Sequence, residues 1–190
     1  MTVFTEHLKA ASMSAAKVLR ADVKSDDEVS RYREMRQEAN FVAEVYHLLR
    51  STNERYRAED FFLEYLYPKK VKVGSKEKRL KPDLIYGGGN GDEVVEFRVF
   101  WDGDVEEGSS HIKAIRNGII TKYFAKLLSY RELPDKIASL TLVVAYLGPE
   151  IADDKTPFDL DLFKDSVIAS ISNYDKLKRE RKPEVQVIVC

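Results

Sequence analysis

The chain has 190 residues, and its 31 lysines and arginines nearly balance 32 acids. That length fits one domain with a real core, and the balance excludes a molecule-wide polyanion-binding charge, so any nucleic-acid surface must be local. The single cysteine, Cys190, excludes an intrachain disulfide framework and a cysteine-based zinc site and suits a reducing compartment. No apolar run reaches membrane-spanning length and the amino terminus lacks the long apolar core of a signal peptide. The expectation is a soluble, intracellular (cytoplasmic) protein with no membrane partner.

In FTEHLKAASMSAAKVL, Phe4, Leu8, Ala11, Ala15 and Val18 alternate at spacings of four and three. This predicts an amphipathic helix whose thin stripe packs on the body of the domain or against another subunit. Asp26, Asp27 and Glu28 suit the positive amino end of a second helix, predicted over residues 29–50. Its stripe is Met35, Ala39, Val42, Val45, Tyr46 and Leu49, broadened by Phe41 and Leu48. At about 100° per residue, Glu38 falls near the centre of that stripe and Glu44 well outside it. A core-facing acid answers to a cation, a metal or a hydrogen-bond network; the alternative is a stripe-edge glutamate reaching solvent.

Residues 60–67, DFFLEYLY, are ambiguous between a helix end and a strand, and the aromatic rings with Pro68 favour a strand. The most basic stretch follows, with Lys69, Lys70, Lys72, Lys76, Lys78, Arg79 and Lys81 against only Glu77. It reads as a solvated loop, yet it leads directly into Pro82-Asp83, where a phosphate backbone could approach.

Pro82-Asp83 opens a short apolar strand, and Glu96-Phe97-Arg98 lies inside the next. Gly87 to Gly91 join the two as a hairpin, since glycine supplies the positive φ such turns need, and this brings Asp83 near Glu96. Alternation puts Val94, Glu96, Arg98 and Phe100 on one face and Val95, Phe97, Val99 and Trp101 on the other. Both faces are mostly apolar, as in a strand covered on both sides. Charged groups there need a partner or a metal; a Glu96–Arg98 or Asp83–Arg98 ion pair is one solution, a metal site the other.

An acidic loop (Asp102, Asp104, Glu106, Glu107) leads to a helix predicted over 111–131, with Ile112, Ile115, Ile119, Ile120, Phe124 and Leu127 facing the core and Lys113, Arg116, Lys122 and Lys126 as its cations. Residues 139–148 read as a buried central strand. A capping box at Thr156-Pro157-Phe158-Asp159 opens a helix to about residue 181, and 184–190 make a last strand. Hairpins early and helical crossovers late imply an α/β fold with a mixed central sheet. The histidines His7, His47 and His111 lack ligand spacing.

This order, with Glu38 in EANFVAEVYHLL, Pro82-Asp83 in KPDLIY and Glu96-Phe97-Arg98 in VVEFRVF, resembles the PD-(D/E)xK, or restriction endonuclease-like, nuclease superfamily. The resemblance covers about residues 29–148. It implies an αβββαβ nuclease-like core flanked by an N-terminal helical arm (1–28) and a C-terminal helix and strand (149–190), within a single domain of 190 residues. It also implies that Asp83, Glu96 and the backbone carbonyl of Phe97 bind Mg²⁺ or Mn²⁺, with Glu38 completing the shell directly or through water. The metal would polarise a scissile phosphate and acidify an attacking water. The implied activity is metal-dependent hydrolysis of phosphodiester bonds in DNA, with Glu38, Asp83, Glu96 and Arg98 as the catalytic set and the basic run with Lys113 as the nucleic-acid contact.

One position departs from the family pattern: Arg98 stands where lysine is usual. Arginine is not a proton acceptor near neutral pH, although it can hold a phosphate oxygen and stabilise developing charge. Lys113 is a candidate for a displaced lysine. The competing expectation is a nuclease-fold protein that binds nucleic acid, or serves in an assembly, without cutting. Cleavage of both strands of a duplex would favour a homodimer.

Overall fold

The structure is a computed structural model that describes residues 2–23, 37–68, 70–73, 76–87, 91–100, 118–133, 136–147, 160–175 and 185–190. In chain order these residues form helices α1 (Val3–Val23) and α2 (Gln37–Thr52), strand β1 (Phe61–Leu63), strands β2 (Lys70–Val73) and β3 (Lys76–Arg79), and strands β4 (Leu84–Gly87) and β5 (Asp92–Phe100). Helix α3 (Ile119–Ser129), strand β6 (Ile137–Tyr146), helix α4 (Leu160–Asp175) and strand β7 (Val185–Val189) follow.

Five strands make a mixed sheet in the order β1-β4-β5-β6-β7. The β1, β4 and β5 pairings are antiparallel, and β5, β6 and β7 run parallel. In the antiparallel half β4 and β5 follow one another closely, while β1 reaches β4 only after the β2–β3 strands; helical crossovers join the parallel strands. At the start of β5, Gly91 has φ of +125°, and a Cβ there would lie 2.4 Å from the Lys136 carbonyl oxygen. That same carbonyl accepts the Asp92 N–H at 2.8 Å, so a side chain at 91 would obstruct the join between β5 and β6.

Both faces of the sheet are covered. On one, Val94, Phe100, Leu140, Leu142 and Val144 pack with Ile120, Phe124 and Leu127 of α3 and Phe163 and Val167 of α4. On the other, Val95, Phe97, Val99, Val143 and Ala145 pack with Phe4 and Leu8 of α1 and Phe41, Val45 and Leu49 of α2. The alternation along β5 therefore sorts its side chains to opposite cores, as expected for an interior strand.

Several elements depart from the sequence expectations. The basic run is no loop: it folds as a β2–β3 hairpin, a separate two-stranded sheet, whose Val71, with Leu80 just beyond it, joins the α3-side core. In α2 the buried line is Phe41, Val45 and Leu49, while Ala39 is exposed. In α1, Val18 is exposed and Ala16 is buried. The helix expected over 111–131 is described from Ile119, and residues 111–117, 151–159 and 176–184 lie outside the described residues.

Candidate functional site

Strand β4 ends where β5 continues. Pairing runs only from Leu84 opposite Val95 to Gly87 opposite Asp92, so among the described residues no strand pairs with β5 on the β4 side from residue 96 onward. Asp83 lies just before β4 and fills part of this gap: the Phe97 N–H donates to Asp83 Oδ2 at 2.7 Å. In a strand a residue's N–H and C=O point to the same edge, so the Phe97 carbonyl also faces the opening.

The register places Asp83 across from Glu96, on the face that carries Ile85 and Val94. Glu96 is fully buried. Its Oε2 accepts from Lys126 Nζ at 2.7 Å and its Oε1 from the Tyr130 hydroxyl at 2.7 Å. Burial, and then the negative charge of Asp83, push the Glu96 carboxyl up to about 8, against the opposing pull of Lys126 and Tyr130. Burial also raises Asp83, opposed first by the Phe97 N–H. Two acids crowded into one desolvated pocket cannot both ionise easily, and a cation between them relieves that conflict.

Helix α2 brings Glu38 to the same opening. Burial raises its carboxyl, with Asp83 adding to the rise and Arg98 opposing it. Glu38 Oε2 lies 3.5 Å from Arg98 Nη1, a loose ion pair in which neither Glu38 Oε2 nor Arg98 Nε makes a hydrogen bond although both are buried. The Arg98 guanidinium also sits 5.1 Å from the Phe100 ring centre and 5.9 Å from that of Tyr123. The expected Glu96–Arg98 or Asp83–Arg98 pair is thus replaced: Arg98 turns to Glu38, and Glu96 takes Lys126.

Of the sequence-derived site residues, Glu38, Asp83, Glu96, Phe97 and Arg98 converge. Lys78 and Arg79 on β3 and Lys70 on β2 are exposed, and Lys81 is exposed and pairs with Glu64 at 2.9 Å. Lys72 and Lys76 lie in the hairpin. Lys69 and Lys113 fall outside the described residues.

From sequence alone Lys126 reads only as a cation of the helix, and Tyr123 and Tyr130 have no role assigned. The signal was present: residues 123, 126 and 130 stand at spacings of three and four, so they share one stripe of α3 and its final turn beside the core face.

As for metal, Asp83, Glu96 and the Phe97 carbonyl are hard oxygen donors of the type Mg²⁺ and Mn²⁺ prefer. Among the described residues no group of three or more His, Cys, Asp or Glu is gathered closely enough to hold an ion. Comparison with protein-family models, curated proteins and solved structures returns no match. No described helix is long and apolar enough to cross a membrane.

Proposed function

We propose that this protein is a metal-dependent nuclease of the PD-(D/E)xK type that hydrolyses phosphodiester bonds in DNA. The carrying observation is the acid pair, Asp83 and Glu96, held where the pairing of β5 with β4 ends, with a lysine ammonium against Glu96. Support comes also from the buried polar atoms without hydrogen bonds beside it, Glu38 Oε2 and Arg98 Nε, which suit a bound cation and a bound phosphate oxygen respectively.

In this reading Asp83, Glu96 and the Phe97 carbonyl would hold Mg²⁺ or Mn²⁺, with Glu38 contributing directly or through water. Such an ion would supply Lewis acidity toward the phosphate and acidify water at the site. Lys126 fills the role of the motif lysine from the following helix: its ammonium keeps Glu96 oriented and stabilises charge that develops on the phosphate. Arg98 binds a phosphate oxygen, and Tyr130 fixes the Glu96 carboxyl from the other side. Purified protein should cut DNA when Mg²⁺ or Mn²⁺ is present, and Asp83→Ala and Glu96→Ala should each abolish cutting. Equal cleavage by both variants and the parent would place the chemistry elsewhere.

A second reading, a nuclease-like fold that binds without cutting, is favoured by one observation. Glu38 and Glu96 already have cationic neighbours in Arg98 and Lys126, so two of the three acids are compensated without a metal. Cleavage with either metal would reject this second reading.

A further inference from the structure

Near the site, Phe62, Leu63, Tyr65 and Leu66 are 47%, 48%, 41% and 50% exposed. Phe62 and Leu63 belong to the edge strand β1, and Tyr65 and Leu66 follow it. Phe62 pairs with Ile85, so it lies on the sheet face that carries Asp83 and Glu96. Just after β1, Glu64 adopts φ of +51°, a left-handed conformation that non-glycine residues seldom take. It turns the chain so that Tyr65 is brought alongside Phe62, with ring centres 5.8 Å apart.

The segment is pinned beside the site by its backbone. The Glu64 N–H donates to the Asp83 carbonyl at 3.2 Å and the Tyr67 N–H to the Leu80 carbonyl at 3.0 Å. Residues 64–67 therefore run antiparallel to 80–83, the stretch that links the basic hairpin to the acid pair. The rings also form a continuous path inward: Tyr65 to Tyr67 at 5.2 Å, Tyr67 to Tyr130 at 5.9 Å, and the Tyr130 hydroxyl to Glu96 at 2.7 Å.

The linked hairpin carries the exposed cations Lys70, Lys78 and Arg79, and the exposed Lys81, next to Pro82-Asp83, pairs with Glu64 of this segment at 2.9 Å. Exposed aromatic rings together with exposed cations match a polyanion that carries flat apolar groups. A protein partner fits poorly, because lysines are depleted from protein interfaces. Duplex DNA fits poorly too, since its base faces are hidden in the stack. An unpaired strand offers both a phosphate backbone for the cations and free base faces for the rings.

Building on the nuclease reading, we propose that Phe62 and Tyr65 form a stacking platform for unpaired bases of a single DNA strand, whose backbone follows Lys78, Arg79 and Lys81 to Asp83 and Glu96. The substrate class is then single-stranded DNA or the unpaired portion of a DNA junction.

Binding of fluorescein-labelled oligothymidylate, followed by anisotropy in EDTA so that no cleavage occurs, tests this. The parent should bind the single strand more tightly than its duplex with oligodeoxyadenylate. An abasic backbone of equal length should lose that advantage. Phe62→Ala and Tyr65→Ala should each weaken binding by about 5- to 150-fold with little change in salt dependence, and Tyr65→Phe should bind like the parent because its ring face remains. The double variant Lys78→Ala/Arg79→Ala should instead lower the slope of log affinity against log salt by about 1.4. Phe62 and Tyr65 are 47% and 41% exposed, and circular dichroism of each variant is the check that it folds.

Equal affinity for the duplex, or parent-like binding by both ring variants, overturns the platform. Cleavage with Mn²⁺ is scored separately. Cutting with ring-independent binding removes the platform and keeps the nuclease, while ring-dependent binding without cutting does the reverse.

Discussion

Lys126 of α3 and Glu96 of β5 are thirty positions apart in sequence, yet their charged groups meet at 2.7 Å while Glu96 is wholly buried and Lys126 keeps about a third of its side chain exposed. The lysine therefore connects a desolvated acid with the solvent opening of the site. Its removal leaves Glu96 with the Tyr130 hydroxyl as its remaining donor of the two. At pH 8, Lys126→Ala is expected to destabilise the protein by about 1–3 kcal/mol, with a smaller loss at pH 5, where Glu96 takes up a proton. In the same variant, cleavage should drop by about 10²–10³. Urea titrations at the two pH values and single-turnover cleavage check both parts.

The acids set the pH dependence of the metal-free protein. Glu96 is raised from 4.5 to about 8, and Glu38 and Asp83 shift the same way. A raised acid binds its proton more tightly folded than unfolded, so its stabilising effect is complete below about pH 4.5 and is lost as pH rises toward 8. Thermal midpoints measured in EDTA should decline across that window, and Glu96→Gln should flatten the decline. A stability that rises steadily over the same range would contradict the burial of these three acids.

How much of this was legible beforehand differs sharply between the strands and the helices around them. The alternation of Val94 to Phe100 and the glycine-rich turn were enough to place Asp83 beside Glu96, because both are local signals with fixed periodicity. The ion-pair partners were not legible. Glu38, Arg98, Lys126 and Tyr130 come from three separate elements, and which of them meet depends on how α2 and α3 are set against the sheet. The hairpin within the basic run was hidden for a related reason: Val71 and Val73 give only a faint alternation among lysines, and packing against α3 decides the outcome.

Tyr130→Phe isolates one hydroxyl while retaining the buried ring. Its bond to Glu96 is charge-assisted when the acid is ionised, so the variant should lose about 1.5–3 kcal/mol at pH 8 or above and less at low pH. Comparison of urea midpoints at matched slope reads the difference.

Glu38 reaches the site only because α2 is anchored to the sheet, where Phe41 meets Phe97 edge-on at 5.9 Å between ring centres. Phe41→Ala should destabilise the protein by about 3–5 kcal/mol. In the fraction that remains folded, the Mn²⁺ concentration needed for half-maximal cleavage should increase. Unchanged metal dependence would separate Glu38 from the metal shell.

Everything proposed about turnover depends on Asp83 and Glu96 accepting a divalent cation. Anomalous diffraction from a crystal soaked in Mn²⁺ at pH 8 reads this without any assumption about substrate. The expected result is a manganese peak bridging the two carboxylates, with the Phe97 carbonyl among its ligands and Lys126 displaced from at least part of its contact with Glu96. No peak between these acids, with Lys126 still at its 2.7 Å contact, would contradict the metal-dependent nuclease and leave the binding fold in its place.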